Sequence, residues 1–215
     1  MKINEIYTQY HIVKNLQNHM YRVASVGSLV IDFLDESIKL DKDIVIRTLL
    51  LHDLGNILKF DFNSNLLNKG DVEKIKKIRE EFILKYGNDE HSVTQNIVRK
   101  IGVEDKILEI LENTGSSKVY SVIDSDNWYF KICSYADFRV APYGVVSIDE
   151  RFDDVVKRYE GRDHVLSDIK NTEHKRLGCL ALEKQIQDKC SLNLLDISDS
   201  SIENIMKELK KYVIL

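Results

Sequence analysis

The sequence predicts an all-α protein, a single-domain bundle of about nine helices. Three observations predict it. One proline, Pro142, occurs in 215 residues, so almost nothing interrupts a helix. Apolar residues recur at alternating steps of four and three, the spacing of one helix face. Hydrophobic residues make up 43% of the chain and charged residues 31%, enough for a core and without a signature of disorder.

Ile12, Leu16, His19, Val23, Val26, Val30 and Phe33 define the inward face of a long first helix. Asp41 or Asp43 caps the next, IVIRTLLLHDL, which meets Gly55 as a stop. It is apolar around most of its circumference, which places it at the centre of the bundle. Asn63 to Gly70 reads as a polar loop. Asp71 then caps a helix carrying Val72, Ile75, Ile78, Phe82 and Tyr86, closed by Gly87. Its charge run, Glu73 to Glu81, is a solvent face. Asp89 caps EHSVTQNIVRKI, which ends at Gly102, and the shorter VEDKILEILEN ends at Gly115. KVYSVID reads as a brief strand without a partner. Asp126 opens a helix through NWYFKICSYADFRVA, halted before Pro142 because a residue preceding proline disfavours the α region. Ser147 and Glu150 form a capping box for a helix burying Phe152, Val155, Val156 and Tyr159. Further helices run from about Asp168 to Lys189 and from about Ser200 to Val213. No repeat or linker divides the chain. Residues 1–145 therefore form the helical core, and 146–215 pack as C-terminal helices on the same domain.

The net charge is −4 and the isoelectric point near 5.9, which argues against a nucleic-acid binder, since such proteins need surplus Lys and Arg to displace counterions. Three cysteines without a C-x-x-C spacing argue against a disulfide framework or a Cys-ligated zinc site and suit a reducing cytoplasm. The start, MKINEIYTQY, lacks the apolar stretch of a secretory signal. The richest apolar run, Ile44 to Leu51, is broken by Arg47 and Thr48 and is too short for a bilayer. A cytoplasmic protein with no membrane partner is expected; assembly into a homo-oligomer stays open.

Three places break the apolar pattern. His19 lies in the middle of the first stripe, where a lone histidine is usually a core residue satisfied by a carbonyl. His52 and Asp53 end the most apolar helix. A buried carboxylate costs several kcal/mol unless something positive holds it, and no Lys or Arg lies within a helical turn. Asp137 steps with Phe130, Cys133 and Val140 on another apolar face, although a pair with Arg139 or a cap would also explain it. Together they supply two imidazoles and two carboxylates from three helices. One divalent cation would compensate both charges and use both imidazoles. This mixed set of four, with positions left for water, suits six-coordinate Mn, Fe, Co or Mg better than closed structural zinc, with Ni and Zn in the wider set.

His19, then His52-Asp53 in LLLHDLG, then Asp137 in YADFRV resembles the H…HD…D pattern of the HD-domain superfamily of metal-dependent phosphohydrolases. The resemblance covers about Tyr10 to Pro142. It implies an HD-type all-α core whose metal ligands are His19, His52, Asp53 and Asp137. HDLGNILKFDF followed by KYGNDEHS is also similar to a little-described bacterial branch of the superfamily. Many members carry Lys, and some nucleotide phosphatases a catalytic Glu, where this chain has Asn56, which cannot act as an acid. Asp61 resembles the position of a second acid in those phosphatases. His91, in the first turn of its helix, would serve as phosphate contact, general acid or extra ligand; its plain alternative is a surface histidine beside Asp89 and Glu90.

The expectation is a metal-dependent phosphohydrolase acting on a small phosphomonoester or nucleotide. Asp53 would be a ligand, Asp61 or His91 would assist proton transfer, and Lys59, Arg139 and Arg151 would meet phosphate oxygens. The alternatives are an HD-fold protein that binds a nucleotide without turnover, and a helical scaffold whose buried His and Asp form a hydrogen-bond network. His11, His164 and His174 read as surface residues, and the cysteines as core.

Overall fold

The computed structural model describes residues 1–60, 62, 72–159 and 168–215. Among them the protein is all-α: eleven α-helices and a single two-stranded hairpin. The helices are α1 (Ile3–Gln9), α2 (Lys14–Asp32), α3 (Lys42–Leu51), α4 (Val72–Tyr86), α5 (Glu90–Ile101) and α6 (Asp105–Glu112). They continue with α7 (Val119–Asp124), α8 (Trp128–Phe138), α9 (Ile148–Tyr159), α10 (Ile169–Gln187) and α11 (Asp199–Leu209). No helix of the described residues is long and apolar enough to cross a membrane.

The local signals act as the sequence suggests in several elements. Asp41 caps α3 by accepting from the Asp43 N–H at 2.9 Å, and Asp89 caps α5 by accepting from the Ser92 N–H at 2.8 Å. Gly102 ends α5 in the left-handed region at φ 87°, where a side chain would be strained. Ser147 and Glu150 close the reciprocal capping box, with N–H to oxygen distances of 2.8 and 3.2 Å. The Asp71 cap, the loop 63–70 and His164 fall outside the described residues. Cys133, Cys179 and Cys190 are buried thiols.

Four expectations need correction. KVYSVID is helix α7 preceded by a 3₁₀ turn, Ser116–Lys118, because a lone strand would leave its backbone groups unpaired. The α8 helix is capped by Asn127, whose side chain accepts from the Tyr129 N–H at 3.0 Å, one residue after Asp126. Pro142 sits in the turn of an unforeseen hairpin, β1 (Val140–Ala141) against β2 (Gly144–Val145). The α1 helix was not expected either. It buries Ile3, Ile6 and Tyr7, and the Tyr7 hydroxyl donates to the Leu50 carbonyl at 2.7 Å, one half-turn before His52.

The α2 and α3 helices form the centre, with α8 packed on both. At Gly27 a Cβ would collide with Leu49, so the glycine sets how closely α2 approaches α3. The C-terminal helices pack on the same body, α11 against α2, and α10 against α7, α8 and α9. Beyond α3, Gly55 lies against the first turn of α5: its N–H donates to Thr94 Oγ1 at 2.9 Å, and a Cβ there would run into the Glu90 carbonyl oxygen. Gly55→Ala is therefore expected to cost about 1–3 kcal/mol, the scale of overpacking a tight contact. Chemical denaturation checks this; an unchanged midpoint would contradict the packing.

Candidate metal centre

Three helix ends bring the exceptions together. His19 is in the second turn of α2, His52 is the residue that closes α3, with Asp53 next, and Asp137 is in the last turn of α8. The imidazole centroids of His19 and His52 are 5.4 Å apart. His19 Nε2 is 3.2 Å from Asp137 Oδ1 and 3.5 Å from Asp53 Oδ2. His52 Nε2 is 3.5 Å from both of these oxygens. One ligand atom each from His19, His52 and Asp137 lies within 4.8 Å of the others, a group that could hold a metal ion. Asp53 lies against both imidazoles of that group. Neighbouring ligands bound at about 2.1 Å to a shared ion stand about 3–3.5 Å apart, so the spacing suits a cation.

His52 Nδ1 is 2.7 Å from the Leu49 carbonyl oxygen, which can only accept, so Nδ1 carries a proton. That fixes the ring and aims Nε2 at the carboxylates, as second partners do for metal-binding histidines. Nε2 is buried and has no hydrogen-bond partner. A buried polar atom left this way is a cost in an empty hydrogen-bond network and an asset in a ligand set. The residues fit a divalent ion.

Burial alone would push the His52 pKa down, but the attraction of Asp53 and Asp137 outweighs it and raises the value to about 9. Burial likewise would raise the Asp137 carboxyl, yet contact with both imidazoles holds it well below the usual carboxylate range. Without metal, a proton on His52 therefore does the cation's work at neutral pH. Its contribution to stability is complete below the unfolded pKa near 6.5 and is lost as pH rises through about 9. Metal must displace that proton. Binding is expected to release about one proton per ion, with apparent affinity rising about tenfold per pH unit up to about pH 9. Calorimetry in buffers of different ionisation enthalpy measures the release; no release at pH 7 would contradict it.

The other described candidates are not members of this group. Lys59, in the 3₁₀ turn Asn56–Lys59, pairs with Glu90 at the start of α5 and is 58% exposed. His91 is 63% exposed, 3.9 Å from Glu90 Oε1, and outside the metal group. Asp61 lies outside the described residues. Arg151 has Nη1 buried without a hydrogen-bond partner, 3.7 Å from Asp154 Oδ2. Burial, Asp137 and Glu183 push the Cys179 thiol up, against Lys175 and Arg151.

Arg139 corrects an expectation. It is 1% exposed and donates to the carbonyls of Val146 at 2.6 Å, Leu194 at 2.6 Å and Ile197 at 3.1 Å. It also donates to the Tyr135 hydroxyl and lies 3.6 Å from Glu183. With its donors taken inside the protein, it ties the end of α8 to the C-terminal segment and is not presented to a phosphate. Sequence reasoning missed Glu183, 44 positions away, because nothing local marks so distant a partner; Tyr135, one helical turn before Arg139, was within reach of the helical spacing. It also missed the Leu49 carbonyl, which the i−3 position of a residue closing a helix could have suggested.

No protein-family model matches this chain, and no curated protein or solved structure matches it significantly. The functional reading rests on the site.

Proposed function

We propose that this protein is a divalent-metal-dependent phosphohydrolase of the HD type, acting on a small phosphomonoester or nucleotide. The observation that carries the reading is the buried Nε2 of His52, without a hydrogen bond, facing two carboxylates beside His19 while the Leu49 carbonyl holds the ring through Nδ1. His19, His52, Asp53 and Asp137 would hold the ion. When bound, it supplies a Lewis acid for a phosphoryl oxygen and acidifies water near neutral pH. Asp53 and Asp137 would turn carboxyl oxygens toward the ion, and the Nδ1–H bond to Leu49 keeps His52 in register. Arg151, with an unsatisfied donor, is assigned to a phosphoryl oxygen, and Lys59 is a further cation beyond the HD turn. His91, exposed at the start of α5, and Asp61 are assigned to proton transfer toward the leaving oxygen.

Binding without turnover is the second reading. Asn56 motivates it, since its amide cannot serve as an acid. A helical scaffold, in which protonated His52 holds Asp53 and Asp137 together, is separated from both readings by metal binding, which it does not require.

The test is phosphate release by metal-reconstituted protein from mononucleotides and p-nitrophenyl phosphate, with single-stranded DNA and RNA as polymers. Release from small substrates that disappears in Asp53→Ala supports the proposal. Asp61→Asn is expected to keep the metal and lower turnover only. Polymer cleavage with small substrates untouched overturns the substrate class, and metal-dependent nucleotide binding without release, lost in Asp53→Ala, favours the second reading.

A further inference from the structure

The far end of α8 from Asp137 carries a second concavity, an open groove of about 470 Å³. Its walls come from four places: the loop between α2 and α3, α6, the start of α8 and the residues after α10. Lys39, Lys106 and Lys189 line it, with Asp126 as the one carboxylate of the lining. Three lysines from three separate segments thus line one groove of a chain whose net charge is −4. Among the described residues neither Lys39 nor Lys189 forms an ion pair; Lys189 acts only at longer range on Asp35. Lys106 reaches Glu109 at 3.2 Å and lies 5.1 Å from the centre of the Tyr129 ring.

Trp128 and Tyr129 supply the aromatic part of the wall. The Tyr129 hydroxyl accepts from the Asp41 N–H at 2.8 Å, which fixes that ring between the α3 and α8 starts. Both rings are half-buried.

We propose that this groove binds a small phosphorylated molecule with a planar ring, the chemistry of a nucleoside diphosphate, apart from the metal centre. Its volume lies in the range of small-molecule sites. Lysines on long stems meet phosphate charges from several directions, and an aromatic wall offers a stacking face to a heterocycle. A longer nucleic acid finds no continuation of the positive surface in an acidic protein. Trp128 and Asp137 are separated by nine positions of one helix, about 13 Å at about 1.5 Å per residue, so one mononucleotide phosphate does not serve both places. The proposal does not depend on the metal reading.

Trp128 is the only tryptophan of the chain, so intrinsic tryptophan fluorescence reports on the groove. The full chain, with EDTA present, is titrated with ADP, pyrophosphate and adenosine. ADP is expected to bind saturably, with pyrophosphate and adenosine each weaker by about tenfold or more, the scale of one charge-assisted contact or one stacked base. The double variant Lys39→Gln, Lys189→Gln is expected to lose about tenfold or more in ADP affinity, both side chains being exposed and the fold unaffected. Lys211→Gln and His52→Ala are expected to bind ADP as the wild type does. Three results would overturn the proposal: no saturable response to ADP, equal affinity in the double variant, or loss of the response in folded His52→Ala. The last would place ADP at the metal centre. Pyrophosphate binding as tightly as ADP would overturn the ring's part in recognition.

Discussion

Replacing His52 with alanine is expected to abolish phosphate release and to lower divalent-metal affinity by more than about 100-fold, beyond the loss when a residue merely orients a ligand. Among the described residues, Nε2 of His52 is the ring nitrogen that is buried without a hydrogen bond, and the Leu49 carbonyl fixes the ring through Nδ1. Its removal leaves Asp53 and Asp137 sharing only His19 as a nitrogen neighbour. The fold should survive, because the side chain closes α3 at its end and gives up a single hydrogen bond to Leu49. Metal titration and far-UV circular dichroism of the same sample check both halves. Wild-type metal affinity in the variant would remove His52 from the centre.

Arg139→Met is expected to cost about 3–5 kcal/mol, the scale for breaking a buried charge network from one side. Glu183 and the carbonyls of Val146, Leu194 and Ile197 would lose their shared donor in the interior. At about 2–4 °C per kcal/mol for a chain of this size, the melting temperature should fall by about 10 °C. Arg139→Lys should recover little, since one ammonium does not span the directions that a guanidinium fork reaches. A loss below about 1 kcal/mol would contradict the view of Arg139 as the tie between α8 and the C-terminal segment.

The contrast between His52 and Arg139 shows what a sequence carries. His19, His52, Asp53 and Asp137 were legible because each interrupts an apolar face, and a buried imidazole or carboxylate is costly wherever the helix is placed. Their meeting follows from the packing of α2, α3 and α8, whose periodicities are local. Arg139 gave the opposite impression: beside Asp137 it looked like a cation for a phosphate, while its acceptors lie at Leu194 and Ile197, 55 and 58 positions away. No local pattern encodes such a partner. The α7 helix was misread for a related reason, since VYSVI favours strands by propensity and only the absence of a pairing edge decides against them. The Val140–Val145 hairpin escaped because two-residue strands leave no alternation to read, and its N–H at Val145 is held by Asp199 from the last helix.

The central claim is that one divalent ion is shared by the ends of α2, α3 and α8. An anomalous-difference map from a crystal of the protein grown with Mn²⁺ tests it most directly. The account predicts one strong peak at about 2.1 Å from His19 Nε2, His52 Nε2 and Asp137 Oδ1, with an Asp53 oxygen also in reach. A map with no peak between these residues, or with manganese bound elsewhere and the four side chains apart, would contradict it.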